Sequence, residues 1–187
     1  IRYFEAHYEI FWAEEPARRW DYAGLRKVSQ SVNAAVATGE NLDDASEFRP
    51  LIEHEAVDYL EIGSGTGGIT GAMRVAQMAD GFDIPVSVMN CPANFMAHFA
   101  AVLPNHIWME VVDVGRDLVF DHHIKVEDGY VVLSDDPGVG MTFDMEKLQQ
   151  YAVTERSPEA APSPWGRRRG AGLHIVAPDE PEMLDYD

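Results

Sequence analysis

Residues 34–62, AAVATGENLDDASEFRPLIEHEAVDYLEI, contain the pattern of a strand, a helix and a second strand. The runs 34–38 and 57–62 are short and rich in apolar residues, as is typical of buried strands. Between them, residues 44–55 begin with Asp-Asp-Ala-Ser, a good helix N-cap, and place their large apolar side chains on one face. A strand–helix–strand unit of this kind predicts a parallel sheet covered by helices.

The same alternation continues on both sides of this unit. Further buried strands are predicted at residues 9–13, 84–89 and 107–110, and further helices at 22–31, 69–79 and 93–102. The strand ends recur about every 21 to 27 residues, which is one βα unit per period, and five units are present. A closed eight-unit barrel takes about 250 residues. The chain is therefore predicted to be an open α/β sheet or the later part of a barrel. The segment 2–7 has the pattern of a helix end, and no N-cap residue precedes it. A helix that is already under way at residue 2 favours a barrel whose first strands precede residue 1.

Composition excludes several classes of partner. The 187 residues carry 14 Lys plus Arg against 32 Asp plus Glu, a formal charge of −18. Binding to nucleic acid or to anionic lipid needs clustered cations, so neither partner is expected. No apolar run is long enough to cross a membrane. A single cysteine, Cys91, and a start without signal-peptide features predict a cytoplasmic location.

The pattern changes after residue 111. A hairpin turning at Asp128-Gly129 is predicted over residues 125–133, and a short helix over 144–151. From residue 154 the chain is rich in Pro, Ala, Gly and Arg without any period. We therefore divide the chain into an α/β part at 1–121, a closing segment at 122–153 and a flexible tail at 154–187.

One glycine motif follows the strand that ends at residue 62. Gly63, Gly65 and Gly68 satisfy G-x-G-x-x-G, and the stretch resembles the first motif of S-adenosylmethionine-dependent methyltransferases. In that class an acidic residue ends the next strand, whereas here that strand ends at Asn90. A methyltransferase is kept as a remote alternative, and a tight strand-to-helix turn is the other interpretation of these glycines.

Carboxylates follow several of the predicted strands. Glu14 and Glu15 come after the first, Glu40 after the second and Glu110 after the last. The carboxyl ends of parallel strands meet at one rim, where an α/β barrel builds its active site. Converging carboxylates repel one another unless a cation is present, and oxygen ligands suit Mg²⁺. The sequence thus predicts a magnesium site at this rim.

At these residues the sequence resembles a known family. FWAEEP at 11–16 and TGEN at 38–41 are similar to the metal-binding strands of the enolase superfamily, mandelate racemase/muconate lactonizing enzyme branch. Further matches follow in the same order: FRPLI (48–52), AVDYL (56–60), GGIT (67–70), IPV (84–86), AH (97–98), LPN (103–105), DGY (128–130) and DPGVG (136–140). The resemblance covers about residues 1–153. It implies strands four to eight of an enolase-type (β/α) barrel, with 122–153 packing toward an N-terminal capping domain that this chain lacks.

The resemblance also implies roles for single residues. Glu14 and Glu40 would be the fourth- and fifth-strand ligands of Mg²⁺, and the third ligand would precede residue 1. Glu15, Asn41 and Asn90 would lie beside the metal or the substrate. Glu110 would hydrogen-bond the substrate carboxylate.

The sequence differs from the mandelate racemase/muconate lactonizing enzyme branch at the positions of the catalytic base. Mandelate-racemase-like members pair an Asp on the sixth strand with a His on the seventh, and here these positions are Ile62 and Met89. The muconate-lactonizing alternative needs a sixth-strand lysine, yet no lysine occurs between Lys27 and Lys125. The general base is therefore not identified.

The implied activity is abstraction of a proton next to a carboxylate, with Mg²⁺ stabilising the enediolate. Dehydration of a sugar acid by a lyase is the leading hypothesis, and an epimerase or racemase of the same superfamily is the first alternative. A catalytically silent homologue that binds metal or ligand is the second, because both members of the acid–base pair are replaced. The resemblance also implies a homo-oligomer.

Overall fold

A computed structural model of the chain describes residues 1–89, 95–111, 116–122 and 125–152. The chain divides into two compact units, Ile1–Leu148 and Gln149–Asp187. The predicted flexible tail at 154–187 lies outside the described residues. No helix in the described ranges has the length and apolar character that crossing a membrane requires.

Five parallel strands form the central sheet, which confirms the predicted architecture. They are Trp12–Glu14 (β1), Ala35–Thr38 (β2), Tyr59–Ile62 (β3), Val86–Val88 (β4) and His106–Met109 (β5). Their order in the sheet is their order in the chain. A doubly wound nucleotide-binding sheet reverses its strand order at a switch point, whereas a barrel adds each strand beside the last. The sheet order therefore supports the barrel interpretation over the methyltransferase.

Helices connect successive strands, as predicted. The helix Arg2–Glu5 (α1) precedes β1, and the connecting helices are Tyr22–Ser29 (α2), Ala45–Glu53 (α3), Gly68–Asp80 (α4) and Ala97–Ala100 (α5). The predicted N-cap of α3 is present: the Ser46 amide donates to Asp44 Oδ1 at 2.8 Å, and the Asp44 amide donates to Glu47 Oε2 at 3.1 Å. This reciprocal pair satisfies amides that the first helical turn leaves free.

The outer face of the sheet and the helices enclose the apolar core. Leu60 and Ile62 of β3 are fully buried in it, together with Phe48 and Leu51 of α3. Side chains alternate along a strand, so Glu61 lies on the opposite, inner face of the sheet. Burying side chains such as these supplies most of the free energy that holds the helices on the sheet.

Aromatic side chains show how strongly the sheet curves. The ring of Phe11, just before β1, stacks on Tyr59 of β3 with centroids 6.1 Å apart. The same ring meets Trp108 of β5, at the other edge of the sheet, edge-on at 5.5 Å. Because residues from both edges touch, side chains on the inner face of all five strands converge.

The segment after β5 adds short elements. They are Arg116–Val119 (α6), Phe120–His122 (β6), Lys125–Glu127 (β7), Tyr130–Val132 (β8), Thr142–Phe143 (β9) and Met145–Gln150 (α7). The predicted hairpin is confirmed, because β7 and β8 pair antiparallel around Asp128-Gly129. β6 and β9 form a second antiparallel pair.

Gly39 is a position where the fold requires glycine. Its φ is +136°, and a Cβ there would lie 2.5 Å from the Glu61 carbonyl oxygen and 2.7 Å from Phe48 Cε1. Gly39→Ala is expected to lower the free energy of unfolding by about 1–3 kcal/mol, because it overpacks this junction and strains the backbone. Urea denaturation of the intact natural protein measures the change. The matched control is Gly65→Ala, whose Cβ would meet nothing within 4 Å, and an equal loss in both variants would contradict the account.

Candidate metal centre

The sequence-predicted carboxylates lie at one rim of the sheet. Glu14 is the last residue of β1, Glu40 comes two residues after β2, and Glu110 directly follows β5. Glu14 is level with Ala37 of β2, and the Glu110 amide donates to the Val88 carbonyl at 2.8 Å. These positions are the carboxyl ends of parallel strands, where barrel enzymes place their chemistry.

Asn41 links two of these carboxylates. Its Nδ2 donates to Glu15 Oε1 at 3.2 Å and to Glu40 Oε1 at 3.3 Å. Thr38 Oγ1 also approaches Glu15 Oε1, at 3.4 Å. Glu15 itself has a left-handed backbone with φ of +41°. Such a conformation costs a non-glycine residue about 1–2 kcal/mol, and strain of this kind concentrates at functional sites. Glu15 and Asn41 thus lie beside Glu40 at this rim, and their place at a metal or substrate site stays a prediction.

Burial and neighbouring glutamates raise the pKa of two carboxyl groups at the rim. Loss of hydration raises the pKa of Glu14, and the charges of Glu15 and Glu110 raise it further. Burial also raises the pKa of Glu40, followed by the charges of Glu14, Glu15 and Glu110, while the Asn41 hydrogen bond lowers it. Like charges that repel one another at a strand-end rim are relieved by protons or by a divalent ion. The oxygen-only donor set fits Mg²⁺.

Glu61 is a member of this acidic group that the sequence analysis missed. Its side chain is fully buried on the inner face of β3. Within the described residues, neither of its carboxyl oxygens has a hydrogen-bond partner. Burial raises the pKa of Glu61 to about 9, and the charges of Glu14, Glu40, Glu15 and Glu110 add to the effect. The signal in the sequence is a charged residue near the end of a buried strand, one residue before the replaced base position.

The remaining predicted residues are less informative about the site. Ile62 lies in the apolar core and Met89 is 5% exposed, so apolar side chains fill both positions of the acid–base pair. Asn90 lies outside the described residues.

The glycine motif forms a tight turn, in which the Thr66 amide donates to the Gly63 carbonyl at 3.1 Å and the Gly67 amide to the Gly65 carbonyl at 2.7 Å.

A complete metal site is not preformed in the described part of the chain. There, no three His, Cys, Asp or Glu side chains are arranged so that they could hold an ion together. Glu14 and Glu40 therefore stay predicted ligands, supported by their place at one rim and by the effect of the Glu14 charge on the pKa of Glu40.

The raised pKa values of these glutamates predict that the free energy of unfolding depends on pH. The prediction applies in EDTA, which keeps divalent ions away from the carboxylates. The pKa of Glu61 rises from its usual 4.5 to about 9 in the folded state. Between these values the folded protein holds a proton that the unfolded chain releases, so the free energy of unfolding falls as pH rises through this window. The slope from Glu61 alone is at most about 1.4 kcal/mol per pH unit, and Glu14 and Glu40 act in the same direction. Urea denaturation of the intact protein from pH 5 to pH 9 measures it, and an unchanged slope in Glu61→Gln would contradict the assignment.

The in-order parallel sheet, its outer helices and its acidic rim define an α/β-barrel domain of the kind that builds active sites at its strand ends. Residues 1–147 match the model of the family described as enolase C-terminal domain-like. The chain belongs to this family, which confirms the resemblance inferred from the sequence.

Three similar proteins illustrate the family. A D-galactonate dehydratase family member from Oceanicola granulosus is 30% identical, over 76% of this chain and 38% of its own length. An enolase from Bradyrhizobium, crystallised with magnesium and mandelic acid, is 30% identical with a TM-score of 0.72, over 80% of this chain and 41% of its own. L-talarate dehydratase from Polaromonas, crystallised with Mg and L-glucarate, is 29% identical with a TM-score of 0.68, over 79% of this chain and 39% of its own. The chain thus spans about two fifths of the length of these relatives.

Proposed function

We propose that the protein carrying this chain is a Mg²⁺-dependent enzyme that abstracts a proton next to a carboxylate, and that it dehydrates a sugar acid. The observation that carries the proposal is the position of Glu14, Glu40 and Glu110 at one strand-end rim, near enough for charge at one to affect the pKa of another. The names of the relatives support the substrate class, since two of the three are dehydratases or members of a dehydratase family.

In this proposal Glu14 and Glu40 hold the cation. When bound, Mg²⁺ supplies a positive charge that stabilises the negative charge developing on the substrate carboxylate. Asn41 keeps Glu15 and Glu40 in place through its amide, so that the two carboxylates do not swing apart. Glu110, at the far edge of the sheet, would donate a hydrogen bond from its protonated carboxyl group to the substrate carboxylate. Such preorganised groups lower the barrier because they need no rearrangement during the reaction.

Ile62 and Met89 favour dehydration over two-base racemisation. Racemisation needs a proton carrier on each face of the reacting carbon, and neither side chain can exchange a proton. Dehydration needs one abstraction, from one face, by a base that is not identified in this chain; the electron pair of the broken C–H bond then forms the double bond as the hydroxyl on the adjacent carbon leaves, protonated, as water. The same two residues support the second candidate, a catalytically silent homologue that binds a metal or a small carboxylate.

A screen of the intact natural protein separates these candidates. The protein is incubated with Mg²⁺ and a panel of aldonic and aldaric acids that includes D-galactonate and L-glucarate, and the keto acid produced by dehydration is trapped with semicarbazide. We expect turnover of at least one acid that EDTA abolishes. Absence of turnover with every acid, in a protein that binds Mg²⁺, would instead identify the silent homologue.

A further inference from the structure

Glu61 occupies a place in the sheet next to the predicted ligand Glu40. Ala37 pairs with Tyr59 and Thr38 with Leu60, so that Gly39 is level with Glu61 on the neighbouring strand. A Cβ on Gly39 would lie 2.5 Å from the Glu61 carbonyl oxygen and 3.2 Å from the Glu61 nitrogen. The absence of a side chain at Gly39 therefore lets the end of β2 approach β3 closely. That approach brings Glu40 beside the inner face on which Glu61 lies.

The carboxyl group of Glu61 is buried, and none of the described residues hydrogen-bonds it. It is 0% exposed, and within the described residues both oxygens lack a hydrogen-bond partner. The charged groups that act on it are all glutamates. An ionised carboxyl that is buried without partners is strongly unfavourable, because it loses its hydration and gains nothing in return. A buried side chain of this kind is expected to meet a partner that the described residues do not supply.

We propose that Glu61 is a ligand of the divalent cation held by Glu14 and Glu40. This inference rests on the proposed function, because it requires a cation at the rim. It differs from the pattern that the family resemblance implies, in which the ligands come from the third, fourth and fifth barrel strands. Glu61 belongs to β3 of this chain, which corresponds to the sixth. The inference thus adds a fourth strand to the metal centre.

In the described residues, no three acidic side chains surround a common point, so a divalent ion would have to draw them together. Carboxylates without a cation between them repel one another and stay apart, whereas a bound divalent ion attracts all of them. We therefore expect the Glu61 side chain to turn toward Glu14 and Glu40 as the ion binds.

Isothermal titration of the intact protein with Mg²⁺ and with Mn²⁺ tests the inference. Glu61→Gln keeps the size of the side chain and removes its charge. We expect it to raise the dissociation constant of both ions at least about tenfold, and to reduce the increase in melting temperature that Mg²⁺ produces. The matched control is Glu53→Gln, on the exposed surface of α3 where Glu53 pairs with Arg49 at 2.6 Å, and it should bind both ions as the natural protein does.

Glu40→Gln separates the failure of this inference from the failure of the proposed function. If Glu40→Gln loses the ion and Glu61→Gln keeps the natural affinity, Glu61 is not a ligand and the proposed function stands. If both variants bind the ion as the natural protein does, the metal centre itself is wrong. Where Glu61→Gln does not fold, a crystal structure of the natural protein with Mn²⁺ decides instead. A Glu61 oxygen within about 2.2 Å of the ion would support the inference, and one beyond hydrogen-bond distance would overturn it.

Discussion

Replacing Glu40 with glutamine is expected to lower the turnover of the sugar-acid substrate by about 10²–10⁴-fold at a fixed, physiological Mg²⁺ concentration. Metal charge contributes several kcal/mol to the stabilisation of such transition states, and each 1.4 kcal/mol is a factor of ten in rate. The substitution removes the negative charge that offsets the cation, while the amide oxygen of the new side chain can still accept the hydrogen bond from Asn41. Steady-state kinetics and titration with Mg²⁺ measure the loss of turnover and the loss of affinity together.

The control for Glu40→Gln is again Glu53→Gln, which removes one negative charge of the same side-chain type far from the rim. Its turnover and its affinity for Mg²⁺ should equal those of the natural protein. Full activity in Glu40→Gln would contradict the metal centre. So would an equal loss in both variants, since that result would reflect net charge alone.

Replacing Phe48 with alanine is expected to lower the free energy of unfolding by about 3–5 kcal/mol. Phe48 is fully buried where α3 packs on the sheet, and its Cε1 atom lies close to Gly39 at the end of β2. Removing the ring leaves a cavity beneath the strand that carries Glu40, and the surrounding side chains can fill only part of it. Urea or thermal denaturation of the intact protein measures the loss.

Phe82→Ala is the matched control for this cavity. Phe82 follows α4 and is 63% exposed, so its removal should change the free energy of unfolding by less than about 0.5 kcal/mol. If Phe48→Ala also changes the free energy of unfolding by less than about 0.5 kcal/mol, Phe48 is not buried between α3 and the sheet as the structure shows.

The fold could be predicted largely because its units are local. The stretch from Ala34 to Ile62 carries its own strand, capped helix and strand, and the parallel sheet follows from repeating that unit. The first four strands are shorter than the apolar runs: β1 begins at Trp12, although the run begins at Glu9. Strand ends depend on pairing with the neighbouring strand, which a run of apolar letters does not specify. The choice between open sheet and barrel needed the sheet order.

The site could be predicted only where it follows from strand ends. Glu14, Glu40 and Glu110 were found because parallel strands align their carboxyl ends, and the family resemblance then suggested their roles. Glu61 was missed because its meaning depends on which face of β3 is apolar and on its register beside Gly39. The hydrogen bonds of Asn41 to Glu15 and Glu40 likewise depend on side-chain geometry that the sequence does not contain.

Loss of the proton next to the substrate carboxylate tests the central claim most directly. The intact natural protein is incubated in D₂O with Mg²⁺ and each sugar acid of the panel. Proton NMR follows the signal of the hydrogen on the carbon next to the carboxylate. We predict that the signal disappears for at least one acid, and that it persists when EDTA is added or when Glu40 is replaced by glutamine. Persistence of the signal for every acid in the presence of Mg²⁺, or its loss at an unchanged rate in Glu40→Gln, would contradict the account.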